Sequence, residues 1–196
     1  DDSGQVASRE ALTISVGETL QLAKRAQLVS YRDMGIDAGA ALLEAGSLVY
    51  AGAADTGETP ATAKLDFNIA GDADLDSARL YATGALTFDA QDITIGSSDT
   101  ANAAQLVSLG ELTVRARNAT TAAARLEAAG NVTVALQQAL KAGDGTVIAS
   151  GAQLAIRSDE MMLAGTVLQS QDGITTDTVG DTTTARTTLV ATGTDG

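Results

Sequence analysis

The residues of this chain that could do chemistry are carboxylates, because the sequence contains no histidine and no cysteine. Those two residues are the commonest general bases, activated nucleophiles and transition-metal ligands in proteins. The densest acidic run lies between positions 66 and 76, close to two basic residues and one tyrosine. The members of this group are Asp66, Asp72, Asp74, Asp76, Lys64, Arg79 and Tyr81. If such carboxylates converged beside a cation, they could supply the acid and the base of a polysaccharide lyase or a glycosidase.

The spacing of this acidic run favours a simpler interpretation, a strand with one solvent-facing side. In the segment Asp72-Ala-Asp-Leu-Asp76, period-two alternation sends the aspartates to one face and the apolar residues to the other. The run also fails as a calcium loop, which needs glycine at its sixth position and glutamate at its twelfth. The chain has Ser77 and Thr83 there. We therefore predict no catalytic residue, no metal site and no cofactor.

Charge restricts the partners that this chain can have. It carries 25 acidic and 12 basic residues, a formal charge of −13. Phosphate backbones and anionic bilayers both attract basic surfaces, so we expect neither nucleic acid nor a membrane surface as a partner. The sequence has no run of about 18 apolar residues, so we do not expect a segment that inserts into a membrane. The one basic cluster is Lys24, Arg25 and Arg32, which we predict as a possible binding patch.

A repeated glycine pattern organises most of the sequence. Each copy has apolar residues alternating up to a glycine, followed by a second alternating run. The clearest copies lie at 78–90, 104–116, 124–136 and 145–156, with their glycines at Gly84, Gly110, Gly130 and Gly151. Self-similarity at a period of about 20 residues is typical of a repeat architecture. We expect each glycine to lie at a sharp corner that leaves no room for a side chain.

The alternation within each copy predicts two short strands. It places Leu86 and Phe88 on one face and Thr87 on the other, as in every later copy. So short a unit cannot bury its apolar face alone and needs a stacked neighbour. A period of about 20 residues is too short for a βαβ unit or a propeller blade, and the leucine-rich repeat signature is missing. The sequence therefore predicts an all-β fold, a parallel β-helix or solenoid.

The repeat extends beyond its clearest copies. We align Gly17 and Gly46 with the repeat glycines, so that Tyr50 matches Phe88, and we overrule the helix propensity of the alanine-rich segment 119–129. Polar insertions are predicted near 52–63, which holds the single proline Pro60, and near 97–104. The shaft is expected to cover residues 1–175. Residues 176–196 form either an eroded last coil or a flexible threonine-rich tail. Eight or nine coils would give a rod about 40 Å long.

Two surface patterns have weaker functional interpretations. Thr87, Thr113 and Thr133 should form an outward ladder, which would suit ice binding if a second threonine column lay beside it. The neighbouring column is Asp89, Arg115 and Ala135, so ordinary strand preference explains the threonines better. The segments Asn118-Ala-Thr120 and Asn131-Val-Thr133 have the form of glycosylation sequons, and chance explains both.

The repeat unit itself resembles a known family. The unit Gly-x-Leu-x-Val-x-Ala, paired with Ala-x-Leu-x-Ala-x-Gly about every 20 residues, is similar to the repeats of filamentous haemagglutinin and related large exoproteins of Gram-negative two-partner secretion. These include adhesins and contact-dependent growth inhibition proteins. The resemblance covers residues 11–175 and implies a right-handed parallel β-helix, export through an outer-membrane transporter and a place on the cell surface. The Asn-Pro-Asn motifs of the secretion domain are absent, so the match is to the shaft alone.

The expected function follows from this resemblance. It is a structural shaft segment of a secreted surface adhesin or exoprotein, which extends a binding or toxic tip towards a receptor or glycan on a host or neighbouring cell. The alternative is a carbohydrate-active β-helix enzyme. The N-terminus, Asp-Asp-Ser-Gly, is no signal peptide, so we interpret the chain as a segment of a longer protein. Its end coils should expose apolar edges and associate end to end, unless residues 1–11 or the threonine-rich tail cap them.

Overall fold

The computed structural model describes residues 4–52, 62–97 and 102–193 as a parallel β-solenoid. Its 23 strands pair in parallel throughout. The chain winds through about eight turns of about 21 residues each, so the all-β prediction and the coil length are confirmed. The described part contains no helix with the length and apolar character needed to cross a membrane.

The strands form three faces of the solenoid. The first face is a nine-stranded sheet made of β1 (Gln5–Ser8), β3 (Gln27–Ser30), β5 (Leu48–Ala51), β8 (Arg79–Ala82), β11 (Ala104–Ser108), β14 (Ala124–Ala128), β17 (Val147–Ser150), β20 (Val167–Ser170) and β23 (Thr188–Ala191). The second face contains β6 (Leu65–Ile69), β9 (Leu86–Asp89), β12 (Leu112–Ala116), β15 (Val132–Leu136), β18 (Gln153–Ser158) and β21 (Gly173–Thr178). The third face contains β7 (Ala73–Asp76), β10 (Asp92–Gly96), β13 (Asn118–Ala122), β16 (Ala139–Ala142), β19 (Glu160–Ala164) and β22 (Thr182–Ala185).

Two long strands join the second and third faces into one 14-stranded sheet. They are β2 (Leu12–Leu22) and β4 (Met34–Leu43). The first half of β4 pairs with β6 and its last residues pair with β7, so this strand turns the corner without a break. The chain turns three corners in each coil. The first corner links the first face to the second face, and the second corner links the second face to the third face. The third corner links the third face back to the first face of the next coil.

Each coil therefore has three strands, whereas the sequence predicted two. The third-face strand was overlooked in β13, where small or polar residues occupy the inward positions. Ala119 and Thr121 are buried there, whereas β10 has Ile93 and Ile95 at the same positions. With such residues inside, the strand lacks the apolar alternation that would reveal it.

The core is a set of stacked inward columns. Leu86, Leu112 and Val132 lie in register on consecutive coils and are fully buried, as the alternation predicted. Phe67 and Phe88 meet edge to face inside the second face, with ring centroids 5.2 Å apart. The alanine-rich segment 119–129 forms strands rather than a helix, because its alternate residues fill the same columns.

The repeat glycines lie at the first corner, as predicted. The backbone of the preceding coil comes so close that a side chain would collide with it. A Cβ on Gly130 would lie 2.9 Å from the Gly110 carbonyl oxygen, and a Cβ on Gly84 would lie 2.9 Å from that of Ala63. A Cβ on Gly151 would fall on the Ala129 carbonyl oxygen. These glycines are needed for close stacking and not for an unusual φ.

A serine supports the same corner in four of the coils. In Ser108 the hydroxyl donates to the carbonyl oxygens of Gly84 (2.6 Å) and Glu111 (2.9 Å) and accepts from the amide of Gly110 (3.1 Å). Ser30, Ser150 and Ser170 repeat this arrangement. The corner carbonyls are thereby satisfied inside the rod, where water does not reach them.

The alignment of Gly17 and Gly46 with these glycines is wrong. Gly17 lies within β2, and Gly46 lies at the third corner, where its amide donates to the Ser77 carbonyl. One residue in the left-handed region marks this corner in each described turn; these are Arg25, Gly46, Ser77, Ala123, Gly145, Gly165 and Arg186. Because the residue type varies, no sequence pattern marks this corner. Tyr50 consequently faces outwards and does not match the buried Phe88.

The rod ends and the insertions complete the fold. The last turn contains β21, β22 and β23, whose side chains are mostly exposed. Nine strands stack on the first face, and eight spacings of about 4.8 Å give a length of about 38 Å. Most of the insertions predicted near 52–63 and 97–104, with Pro60, lies outside the described residues.

Candidate functional site

The most distinctive outward feature is a pair of stacked tyrosines on the first face. Tyr50 on β5 lies in register with Tyr81 on β8, and their rings are nearly parallel, 9° apart, with centroids 5.4 Å from each other. Parallel in-register strands place equivalent residues about 4.8 Å apart, which suits ring stacking. Gly52 makes room for this pair, because a Cβ there would overlap the Tyr50 ring.

A shallow trough runs beside the tyrosines along the rod axis. Register places Leu48, Arg79 and Gln105 in one outward column, and Tyr50, Tyr81 and Val107 in the next. The trough between these columns has a volume of about 250 Å³, and Leu80 forms part of its floor. Its walls are mostly apolar, with Arg79 and Gln105 as the polar groups on one side. We call it the tyrosine trough.

A second concavity lies at the third corner and shares a residue with the trough. Its volume is about 320 Å³, and its lining is Arg25, Ala45, Gly46, Asp76, Ser77, Arg79 and Asn102. Arg79 borders both concavities, so the apolar trough opens beside a recess that contains two arginines. We call it the arginine recess. Asp76 is the one acidic residue among the described residues of this lining, and it accepts a hydrogen bond from the Ser77 hydroxyl at 3.1 Å.

The two arginines of the recess differ from most other arginines of the rod. Six arginines form ion pairs with carboxylates, namely Arg32, Arg115, Arg117, Arg125, Arg157 and Arg186. Within the described residues, Arg25 and Arg79 form no ion pair. A guanidinium offers up to five hydrogen-bond donors in a planar fork that fits carboxylates. In a chain of charge −13, two such groups at one recess are a notable local excess of positive charge.

The acidic run singled out in the sequence does not converge. Asp66 lies on the second face, Asp72 at the second corner, and Asp74 and Asp76 on the third face. Lys64 precedes β6, and its amide donates to Asp33 at 2.8 Å. Within the described ranges, no three acidic residues are close enough to hold a metal ion together. Of the whole group, Asp76, Arg79 and Tyr81 line the two concavities.

The predicted basic cluster is split between two corners. Lys24 and Arg25 lie at the third corner, whereas Arg32 lies at the first corner and pairs with Glu10 at 3.5 Å. The four-residue strand β3 separates them, a distance of about 13 Å. The cluster therefore does not form one patch. Arg25 instead lines the arginine recess together with Arg79, which lies two turns further along the rod.

A polar cluster at the second corner holds one of the two sequons. Arg117 pairs with Asp92, and the Asn118 amide donates to the same carboxylate at 2.8 Å. These contacts, first the hydrogen bond from Arg117 and then that from Asn118, hold the pKa of Asp92 below its ordinary value. The second sequon residue, Asn131, donates to Glu111 at 3.3 Å. Both asparagine amides thus bridge neighbouring coils.

The threonine ladder forms as the alternation predicted. Thr87, Thr113 and Thr133 lie in register on the second face, with Asp89, Arg115 and Ala135 beside them. In the neighbouring column Arg115 pairs with Asp89 at 3.4 Å. This face is therefore a mixed polar surface with one threonine column.

Sequence reasoning missed both the tyrosine stack and the arginine recess. It noted Tyr81 as a lone aromatic and placed Tyr50 inside the rod. The two tyrosines are 31 positions apart, because the segment 53–61 intervenes between their coils, so the regular period does not connect them. Had Tyr50 been aligned by the third-corner residues Gly46 and Ser77, the pair would have been found.

Comparison with known proteins does not assign this chain to a family. No family model matches the sequence, no curated protein matches it, and no solved structure matches the fold.

Proposed function

We propose that this chain is a structural shaft segment of a secreted bacterial surface adhesin or exoprotein. Its role is to hold a binding or toxic region at a distance from the cell that exports it. Export would use an outer-membrane two-partner-secretion transporter, as the repeat resemblance implies. The observation that carries the proposal is the unbroken first face, in which nine strands stack in one continuous order.

This architecture suits a spacer for physical reasons. Each coil is hydrogen-bonded to the next through parallel ladders on all three faces. Bending the rod would strain many of these bonds at once, and each coil depends on its neighbours for burial. The chain also lacks cysteine, so no disulfide can form before an unfolded chain is exported. Stiffness and export as an extended chain are both properties that a surface shaft requires.

The enzyme alternative finds less support in the described residues. A polysaccharide lyase or glycosidase of this shape needs two or more carboxylates that meet in one cleft. The acidic run is instead distributed over two faces and a corner. Asp76 is the one carboxylate in the lining of the two concavities on and beside the first face.

The proposal is tested on the bacterium that makes the protein. An antibody against this segment should label intact cells, and deletion of the outer-membrane transporter should abolish the label. Protease added outside the cells should remove it. Labelling that requires permeabilised cells would contradict a surface location. Labelling that survives transporter deletion would contradict the export route.

A further inference from the structure

We propose that the tyrosine trough and the arginine recess together bind an oligosaccharide that carries carboxylate groups. The trough would hold the flat C–H faces of sugar rings, and Arg79 and Arg25 would bind the carboxylates. This inference does not depend on the shaft function, because a rod can act as a spacer with or without a ligand on its side.

The positive charge at this site has no structural task in the described residues. Arg25 and Arg79 make no ion pair there, whereas six other arginines are paired with carboxylates. A surface that opposes the net charge of its protein attracts ligands of the protein's own charge sign. Among the described lining residues Asp76 reduces the excess, so these residues carry a net charge of about +1 in a protein whose formal charge is −13.

The trough supplies the apolar part of the site. Tyr50 and Tyr81 are already stacked, so their rings are fixed before a ligand arrives and lose little freedom on binding. Tyrosine offers a flat apolar ring with a polar hydroxyl at its edge, a combination that suits a sugar ring. Val107 extends the apolar wall on the next coil, and Gln105 adds an amide donor and acceptor opposite it.

The sheet that carries the trough argues against a peptide ligand. Peptides commonly bind a β-sheet by adding a strand to an open edge. Strand β5 is paired on both sides, with β3 and β8, and β8 is paired with β5 and β11. Their backbone groups are therefore used within the sheet. A ligand on this face can be recognised through side chains alone, which suits a carbohydrate.

Two substitutions taken from the chain itself test the site. Arg79→Gln installs the residue of the next coil, Gln105, and Tyr81→Val installs the residue of Val107. Both replacements already occur on this face, so the fold should accept them. The matched controls are Arg115→Gln, which makes the same charge change on the second face, and Tyr31→Val, which removes an exposed tyrosine next to β3.

Binding is measured by titration calorimetry and by amide chemical shifts of the labelled chain. The probe is the hexamer of galacturonic acid, with the neutral glucose hexamer and hexaglutamate as comparisons. We expect saturable binding of the uronate, with shifts confined to strands β5, β8 and β11 and to the third-corner residues that line the arginine recess. Each site variant should weaken binding at least tenfold, and the controls should leave it unchanged. The neutral hexamer should bind at least tenfold more weakly.

Three results would overturn the proposal. The first is the absence of saturable uronate binding. The second is hexaglutamate binding as tight as that of the uronate, which would indicate nonspecific charge attraction. The third is a loss of binding in the Arg115→Gln control as large as that in Arg79→Gln. Circular dichroism of each variant checks that the fold is retained. The shaft function would survive all three results, because it is tested by location on the cell.

Discussion

At the scale of single residues, the direction of a side chain decides whether it belongs to the core or to the surface of the rod. Leu86, Phe88 and Val132 point inwards and Thr87 outwards, as the alternation required. Direction is robust because parallel stacking without register shifts keeps each column on one side of the sheet. What lies beside an outward residue on the next coil depends on spacing, and spacing varies wherever an insertion occurs. For this reason the inward columns were predicted and the outward Tyr50–Tyr81 pair was not.

Removing one ring of the edge-to-face pair Phe67 and Phe88 inside the second face should cost the protein much of its stability. Phe88 is fully buried and meets Phe67 edge to face. Phe88→Ala would leave a cavity enclosed by neighbouring coils that cannot collapse into it. We expect a loss of about 3–5 kcal/mol in the free energy of unfolding, measured by urea denaturation. Thr87→Ala, one residue away and outward, should change it by less than about 0.5 kcal/mol. Equal losses would contradict the assignment of the two faces.

The polar cluster at the second corner predicts a dependence of stability on pH. Hydrogen bonds from Arg117 and Asn118 lower the pKa of Asp92 in the folded chain. Because the pKa of Asp92 is lower in the folded chain than in the unfolded chain, the ionised carboxylate stabilises the fold. This contribution to the free energy of unfolding is complete above the ordinary pKa of a carboxyl group, and it is lost as the pH falls through the folded pKa of Asp92. Asp92→Asn should therefore destabilise the protein at pH 7, and its effect should shrink as the pH falls through the folded pKa of Asp92.

The measurement is the urea midpoint of both proteins between pH 7 and pH 2. Arg117→Gln provides the second arm of a double-mutant cycle and should abolish most of the pH-dependent difference. A difference that stays constant down to pH 2 would show that Asp92 acts through packing rather than through its charge.

At the scale of elements, the corners decided how much of the coil the sequence revealed. At the first corner a glycine recurs in four consecutive coils, because the preceding coil leaves no space for a side chain at positions such as Gly130 or Gly151. In two other coils Arg32 and Asp172 lie at this corner. The third corner needs a left-handed residue, and residues as different as Arg25 and Ala123 fill that position. A steric requirement therefore leaves a clear sequence signal, whereas a conformational requirement that several residue types can meet does not. The period was evident, but the third strand and the third corner were not.

The close approach at the first corner gives a sharp test of this interpretation. A Cβ on Gly151 would collide with the Ala129 carbonyl, which belongs to the backbone and cannot rotate away. Gly151→Ala should cost about 1–3 kcal/mol, because one coil must move relative to the next. Gly35→Ala is the matched control, since nothing lies within 4 Å of a Cβ at that strand position. It should change stability by less than about 1 kcal/mol. Urea denaturation of both variants provides the measurement, and equal effects would show that the corner tolerates a side chain.

At the scale of the whole molecule, the two ends of the rod differ more than the sequence suggested. The inward positions of the first turn are apolar, and Leu12, Ile14 and Val16 stack on the core from one side only among the described residues. In the last turn, Thr182 and Thr184 lie in register with the buried Met161 and Leu163. The expected apolar edge is therefore present at the N-terminal end, whereas the threonine-rich last turn covers most of the C-terminal end, the alternative that the sequence left open.

This asymmetry predicts how the isolated segment associates. An apolar end gains most by covering an identical apolar end, so two N-terminal ends should meet around a two-fold axis and form a closed dimer. Contact between unlike ends would instead continue without limit and give filaments.

Val6 and Leu189 test the difference, because they occupy opposite ends of the same inward column and are 51% and 57% exposed. Val6→Lys should weaken the dimer at least tenfold, because a two-fold interface loses the valine of both protomers. Leu189→Lys should leave it unchanged. Sedimentation velocity over a range of concentrations distinguishes the two modes, since filaments that both substitutions shorten would show that unlike ends join.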